Sequence, residues 1–359
     1  MSKIERHGGG MMRDRKAKAE PRARSKIASI TTVAERAGVS IATVSRIVNG
    51  IAKKASPETV AKVQRAIAEL GYRPVSVGRA LRLRESRIVA VLAANLSNPT
   101  MAAIAASAES ALRQAGYVMV LCDTHDRADL QDEYLLEMRA LLVRGIVMLA
   151  AVSSPGLDDF VQAKEPILFV NRRGPGSRTS FVGVDNKQAG SEVAAHLLKL
   201  GVTQTAVIHG SLGSSATAER LAGFLEAMAS AGHRLAPHHV RTAEVSDHLM
   251  IGLNATRSLL EFGSPPHGLF CLSDLIAYGA HKALQEAGLS SPEEVRVIGF
   301  DDNPLNNWLA PWLTSVKVPY REYGTAILEG LETIWSGAPP RHVLLRHHLI
   351  VRMAGANPE

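Results

Sequence analysis

The segment from residue 27 to residue 72 constrains the fold of this chain more than any other stretch. Val33 and Ala37 are spaced as on one apolar face of a short helix. Gly38 follows directly, and glycine adopts the left-handed backbone of a helix-ending turn at little cost. Ser40 then stands where its hydroxyl can cap a second helix. The segment therefore predicts two short helices joined by a tight turn.

A third helix is predicted to begin at Ser56-Pro57-Glu58, after a second helix over residues 41–49. Ser at the cap, Pro at the first helical position and an acid in the first turn are the usual signals of a helix start. Helices in this order are typical of a helix-turn-helix domain, which places its second helix in the DNA major groove. The alternative interpretation is a generic three-helix segment, because glycine turns between helices are common.

Charge is distributed unevenly along the 359 residues. Residues 1–87 contain 20 of the 41 Lys and Arg residues but 7 of the 34 Asp and Glu residues, so a basic head precedes an acidic body. This distribution is expected of a polyanion-binding module attached to a larger domain. Residues 1–28, rich in Gly, Lys and Arg, are predicted to form a disordered basic tail.

The sequence indicates a cytoplasmic protein with no membrane partner. No apolar run reaches the ~18 residues of a membrane span, and the basic N-terminus has no apolar signal core. Cys122 and Cys271 lie in apolar strand-like runs, which predicts buried free thiols.

A short basic segment, residues 75–85, joins the head to the rest of the chain. It contains Gly78 and is shorter than the ~12 residues that an isolated helix needs in water. Leu81 and Leu83 stand among arginines, as expected of a wedge in the DNA minor groove. The alternative interpretation is an ordinary solvated linker.

From Ser86 onward, apolar strand-like runs alternate with helix-like stretches. This alternation predicts parallel sheets with helices on both faces, and two such sets predict two lobes with a cleft between them. Ligands of open parallel sheets bind beyond the carboxyl ends of the strands. Amides, hydroxyls and carboxylates follow the strands here, which suits a hydroxyl-rich ligand.

Enzyme motifs give no support to a catalytic function. The sequence has no paired His/Cys metal spacing, no Gly-x-Ser-x-Gly elbow and no phosphate loop, so we expect neither a metal nor a cofactor. Two alternatives remain open. One is a sugar-processing enzyme fused to a DNA-binding head, and the other is an architectural DNA binder without an effector.

The ordered motifs together resemble the lactose/galactose repressor (LacI/GalR) family of bacterial transcription regulators, over almost all of residues 27–354. The matching blocks include Ala37-Gly38-Val39-Ser40, Thr43-Val44-Ser45-Arg46, Leu96-Ser97-Asn98-Pro99, Glu219-Arg220-Leu221-Ala222-Gly223-Phe224, Ser273-Asp274-Leu275-Ile276-Ala277-Tyr278-Gly279 and Ile298-Gly299-Phe300-Asp301-Asp302.

The resemblance implies an all-α helix-turn-helix head (residues 29–74), a hinge (75–85) and a two-lobed α/β domain like the periplasmic binding proteins (86–355). It implies that the first lobe comprises residues 86–183 and 320–338, and the second residues 184–318 and 339–355. It further implies a nucleoid-associated homodimer that acts as a repressor on a pseudo-palindromic double-stranded operator. A small polar effector, a sugar or sugar derivative, is expected in the cleft.

By the resemblance, Ile41, Ala42 and Arg46 face the DNA bases. Ile41 and Ala42 can pack on a thymine methyl group, whereas Arg46 can reach guanine O6 and N7. The same resemblance implies phosphate contacts and, at Leu81, an intercalating leucine. The residues expected at phosphates are Ser40, Thr43, Ser45 and Asn49.

The effector positions also follow from the resemblance. Asn171, Arg220 and Asp301 match effector-contacting positions of the family, and Ser273 stands where its members often have Asn. Asn98, which follows a predicted strand, and Trp308 complete the candidate effector residues. Trp308 is expected either to stack on a sugar face or to belong to the core. Thr100-Met101 stands where the family commonly has an aromatic pair, which favours a small polar ligand over a purine.

Overall fold

The computed structural model describes residues 28–48, 55–72, 86–176 and 178–352. Contacts divide the chain into two compact units, one within residues 1–78 and the other within residues 79–359. In the described part of the chain, no helix is long and apolar enough to cross a membrane.

The first unit is helical, as predicted. Helix α1 spans Ile30–Ala37, α2 spans Ile41–Val48 and α3 spans Pro57–Leu70. One fully buried valine from each helix meets the others in a small core, and these are Val33, Val44 and Val63. Burial of these side chains holds together helices that are too short to be stable alone.

Capping fixes the ends of these helices as the sequence predicts. Gly38 ends α1 in the left-handed conformation, with φ 66°. The hydroxyl of Ser40 accepts from the backbone N–H of Thr43 at 3.2 Å, and that of Ser56 accepts from Thr59 at 3.2 Å. The three-helix head therefore has the turn that a helix-turn-helix requires.

The second unit contains two six-stranded sheets, which confirms the predicted two-lobed α/β fold. In the first sheet all neighbouring strands are parallel, in the order β11-β5-β4-β3-β1-β2. Its strands are β1 (Ile88–Ala93), β2 (Val118–Asp123), β3 (Gly145–Leu149), β4 (Ile167–Val170), β5 (Ser180–Val184) and β11 (His342–Leu345).

The second sheet has the order β12-β10-β9-β8-β6-β7 and is parallel except for its last strand, which runs antiparallel to β10. Its strands are β6 (Thr205–Ile208), β7 (Val240–Arg241), β8 (Gly268–Cys271), β9 (Arg296–Asp301), β10 (Thr314–Lys317) and β12 (His348–Ile350).

Helices connect and cover the strands. They are α4 (Pro99–Gln114), α5 (Ala128–Ala140), α6 (Pro155–Gln162), α7 (Asn186–Lys199), α8 (Ser215–Ser230), α9 (His248–Leu260), α10 (Asp274–Glu286), α11 (Asn306–Leu309) and α12 (Tyr320–Trp335). The largest buried cluster takes residues from both sheets, among them Val91, Val182, Phe270 and Phe300. One apolar cluster therefore spans both lobes, and each lobe also has a cluster of its own.

Two expectations are wrong in detail. Residues 339–355 were assigned whole to the second lobe, but β11 pairs with β5 of the first sheet and only β12 joins the second. Both strands are short and partly exposed, and their apolar runs, Val343-Leu344-Leu345 and Leu349-Ile350, do not show which sheet each strand joins. Cys271 is a buried free thiol as predicted, whereas Cys122 is only half-buried because β2 is an edge strand.

Candidate ligand cavity and nucleic-acid interface

A cavity of about 430 Å³ lies at the carboxyl ends of the strands, between the two sheets. Its wall takes loops from both lobes, as expected at the crevice of open parallel sheets. Five residues that the sequence singled out line it together, and these are Asn98, Asn171, Arg220, Ser273 and Asp301. The fold therefore brings to one place side chains that are up to about two hundred residues apart in sequence.

Arg220, in the second turn of α8, is held rigidly in the cavity wall. Its Nε donates to Asn186 Oδ1 and one terminal nitrogen donates to the Leu272 carbonyl, both at 2.8 Å. The guanidinium carbon lies 3.4 Å from the centroid of the Phe300 ring. Burial lowers the pKa of Arg220, while the nearby Asp301 carboxylate opposes that shift. Fixed in this way, the guanidinium offers directed hydrogen bonds without an ordering cost.

Asp301 ends β9 and supplies the main acceptor of the second lobe. The residue is 5% exposed. Burial raises the pKa of its carboxyl to about 6, against the attraction of Arg220 and a hydrogen bond from Thr100. The cost of burying this carboxylate is not fully offset by its partners in the protein, so each hydrogen-bond donor of a ligand that reaches it stabilises the complex. Hydroxyl groups supply such donors.

His248 lines the same wall, and sequence reasoning missed it. Its Nδ1 lies 3.0 Å from Ser273 Oγ, which already accepts the backbone N–H of Ile276 as the cap of α10. The serine hydroxyl is thus free to donate to Nδ1, and in that tautomer the proton of the neutral ring lies on Nε2. Burial lowers the pKa of His248 and favours this neutral form. No motif marks this residue in the sequence; it is the first residue of α9, directly after the capping residue Asp247.

The first lobe contributes an ion pair that the sequence did not reveal. Arg172 donates to Asp126 Oδ1 at 3.0 Å and to the Ala150 carbonyl at 3.1 Å. Asn171 beside it has φ 67°, which turns the chain at the end of β4. Asn98 caps α4 by accepting the N–H of Thr100 at 2.9 Å. The lobe therefore presents both charges and amide groups to the cavity.

One predicted site residue falls elsewhere. Trp308 lies on the short helix α11, is 82% exposed and does not line the cavity, so it is neither a core residue nor placed for stacking on a ligand there. Asn49 and Leu81 lie outside the described residues. Among the residues that are described, no group of three His, Cys, Asp or Glu side chains could hold a metal ion.

The helical head presents the predicted face of α2 to solvent. Ile41, Ala42 and Arg46 are exposed, whereas Val44 points into the core. Ser45 is half-buried. An exposed face that mixes apolar and guanidinium groups can read base edges, provided that the helix enters a groove.

A crevice of about 350 Å³ lies where the N-terminal ends of α2 and α3 converge. Ser40, Thr43 and Arg46 line it together with Ser56 and Thr59, which were not predicted to contact DNA. Each Ser–Thr pair is joined by a hydroxyl hydrogen bond of 2.9 Å. Helix N-termini with hydroxyls and a cation beside them attract phosphate groups. Two residues assigned to phosphate contacts, Ser40 and Thr43, thus share this crevice with Arg46, which was assigned to a base contact.

Comparison with known proteins agrees with this geometry. Residues 29–75 match the model of the bacterial regulatory proteins of the lacI family, and residues 194–353 match that of the periplasmic binding protein-like domain. The ribose operon repressor of Halalkalibacterium halodurans is 32% identical over 300 residues, covering 82% of this chain and 87% of that protein. The transcriptional regulator AscG of Escherichia coli K12 is 31% identical over 318 residues, covering 86% and 93%.

Solved structures show the same likeness. The lac repressor dimer bound to operator and the anti-inducer ONPF superposes with a TM-score of 0.77 at 27% identity, covering 91% of this chain and 98% of that one. A complex of the transcriptional regulator CelR with cellobiose gives a TM-score of 0.68 at 29% identity, covering 91% and 100%. With its helix-turn-helix head and two-lobed domain, this chain belongs to the lacI family of bacterial regulatory proteins and is a DNA-binding transcriptional regulator.

Proposed function

We propose that this protein represses transcription from a pseudo-palindromic operator and that a sugar or sugar derivative in the cavity controls its affinity for DNA. The observation that carries the proposal is the arrangement of Arg220, His248 and Asp301 around one cavity. The first two offer donors and the third is an acceptor, so a ligand with both kinds of group satisfies all three. Relatives named for ribose and for cellobiose support a carbohydrate.

Control of DNA binding is a linkage between the two ligands. Effector can shift the equilibrium between two arrangements of the dimer only by its differential affinity for them. A difference of about 3 kcal/mol changes operator affinity more than one-hundredfold, which suffices for regulation.

We infer a homodimer because a pseudo-palindromic operator needs two heads. A patch of large apolar side chains is exposed on and before α11, and it consists of Leu305, Trp308 and Leu309. Monomeric proteins rarely expose such contiguous apolar groups. The patch therefore supports contact with a second copy, and we propose that role for Trp308 in place of sugar stacking.

We also propose a cytoplasmic, nucleoid-associated location.

The DNA-binding role is tested by Arg46→Ala. Loss of a bidentate contact with guanine should cost about 1–3 kcal/mol, so operator affinity should fall roughly 5- to 150-fold while affinity for random DNA falls much less. Genome-wide mapping of bound sites supplies the operator, and footprinting on it supplies the affinities. Arg65→Ala on the exposed surface of α3 is the matched control. An unchanged footprint for Arg46→Ala would remove that residue from base recognition.

The enzyme alternative predicts turnover of the bound sugar. Genes beside the mapped operators indicate candidate sugars, and each that releases the operator is incubated with the protein and analysed by mass spectrometry. Chemically unchanged sugar after prolonged incubation supports a regulator, whereas a stoichiometric excess of product supports the enzyme.

A further inference from the structure

The chain takes an unusual conformation where Asp301 enters the cavity. Asp301 has φ 117° and Asp302 has φ 48°. Residues other than glycine rarely adopt these positive φ angles. Such residues persist only where the surrounding structure fixes them, and they concentrate at functional sites. The groups that hold this turn therefore decide where the Asp301 carboxylate points.

A buried carboxylate holds the turn from behind. Asp274 Oδ2 accepts the backbone N–H of Asn303 at 2.7 Å. Asp274 Oδ1 accepts from the hydroxyl of Ser315 at 2.6 Å, and that hydroxyl oxygen accepts the N–H of Asp302 at 3.0 Å. Both residues after Asp301 are thus fixed, one directly and one through Ser315.

Asp274 makes these hydrogen bonds from outside the cavity. The residue is 1% exposed and is not one of those that line the cavity. Its Oδ1 lies above β9 at Gly299, where an added Cβ would come within 2.2 Å of that oxygen. A side chain at position 299 would therefore displace the carboxylate.

The same carboxylate reaches the exposed helix α11. Asn306 Nδ2 donates to Asp274 Oδ2 at 2.8 Å. Asn306 Oδ1 in turn accepts from the hydroxyl of Tyr278 on α10 at 2.5 Å. Asp274 is thus bonded to the turn that carries Asp301 and to the helix that carries Trp308.

We propose that Asp274 is a positioning residue for the ligand site: through Ser315 and Asn303 it holds the turn that aims the Asp301 carboxylate into the cavity. This inference rests on the proposed contact of Asp301 with the effector. Because Asn303 and Asn306 donate N–H groups to it, Asp274 must offer lone pairs rather than a proton at Oδ2. Removal of the side chain leaves the N–H of Asn303 and the hydroxyl of Ser315 without their acceptor, and we expect Asp301 to relax out of the cavity.

An asparagine at position 274 separates positioning from charge. Its Oδ1 can accept from Asn303 and Asn306, and its Nδ2 can donate to Ser315 Oγ, so the Asp274→Asn variant can hydrogen-bond to all three residues. The Asp274→Ala variant can hydrogen-bond to none of them. A role confined to general stability would make the two variants differ in melting temperature alone.

Crystal structures of the ligand-free variants, compared with one of the wild-type protein, decide the proposal. In Asp274→Ala, φ of Asp301 should leave the positive region and its carboxylate should move away from Arg220, while Asp274→Asn keeps both. If Asp274→Ala does not fold, Ser315→Ala removes the restraint on Asp302 and should move Asp301 in the same direction. An Asp301 that stays in place in the folded variant lacking its restraint, or that moves equally in Asp274→Asn, overturns the proposal.

Titration calorimetry with D-ribose and cellobiose adds the functional consequence. For whichever sugar the wild-type protein binds, Asp274→Ala should bind that sugar at least about tenfold more weakly, because the loss of one charged hydrogen bond lowers affinity by about that factor. The affinity of Asp274→Asn should fall less than about threefold. Asp301→Ala is measured in parallel. If it binds as the wild-type protein does, the proposed role of Asp301 in ligand binding fails, while the crystal structures still decide whether Asp274 holds the turn.

Discussion

Replacing Asp301 by Asn should stabilise the protein at neutral pH while abolishing its response to effector. In the folded protein burial raises the pKa of this carboxyl from 3.8 to about 6. In the unfolded chain the ordinary value applies. Each pKa unit corresponds to about 1.4 kcal/mol, so the ionised side chain costs the folded state about 3 kcal/mol above pH 6. Asparagine has nearly the same shape and no charge to bury.

The sign of the pH dependence follows from the same shift. Between pH 4 and pH 6 the folded state binds more protons at this site than the unfolded state does. The contribution of Asp301 to stability therefore falls as the pH rises through this window. The stability difference between Asp301→Asn and the wild-type protein should be near zero at pH 4 and reach about 3 kcal/mol by pH 7.

Urea denaturation of both proteins at a series of pH values measures this difference. Asp158→Asn, at an exposed acid of α6, is the matched control for the loss of one acidic charge at the surface. A difference that is independent of pH, or a variant that is less stable than wild type at pH 7, would refute the reasoning. In that case Arg220 compensates the Asp301 charge fully and the carboxylate is an ordinary ion-pair member.

Two further predictions concern the cavity wall and the exposed patch. His248→Phe keeps a ring but removes the Nε2–H donor and the hydrogen bond to Ser273. About 5- to 150-fold more effector should therefore be needed for half-release of operator, as measured by fluorescence anisotropy. An unchanged midpoint excludes a direct contact between His248 and the effector. Trp308→Glu should shift the protein from dimer to monomer in sedimentation equilibrium, whereas Leu141→Glu, also at an exposed leucine, should not; a Trp308→Glu protein that remains dimeric places the interface elsewhere.

Sequence reasoning found the elements that local chemistry determines. The cap at Ser56, the turn at Gly38 and the β-α alternation from Ser86 each depend on residues close together in the chain, and the structure confirms them. The final two strands were missed because their pairing depends on partners distant in sequence. Their apolar runs, Val343-Leu344-Leu345 and Leu349-Ile350, are too short to indicate those partners.

The cavity shows the same division. Arg220 and Asp301 could be named in advance because motifs carry them, and both line the cavity. His248 could not, since its importance depends on the distance to Ser273, across the gap between α9 and α10. Trp308 shows the opposite case, in which a suitable residue type lies on the wrong surface. Residue type predicts what a side chain can bind, but only the fold determines what it reaches.

The arrangement around Asp301 is unfavourable for stability in each of its parts. The Asp301 carboxylate is buried, and the backbone of this residue has φ 117°. A second carboxylate, that of Asp274, lies behind it. Burial and repulsion from Asp301 raise the pKa of Asp274 to about 7. Two buried acids so close together cost the folded state more than apolar residues of similar size would. A ligand that donates hydrogen bonds to Asp301 removes part of that cost. The free energy gained on binding is therefore largest in the arrangement of the lobes that lets the ligand reach this carboxylate, and that difference is what a sensor needs to drive a change in DNA affinity.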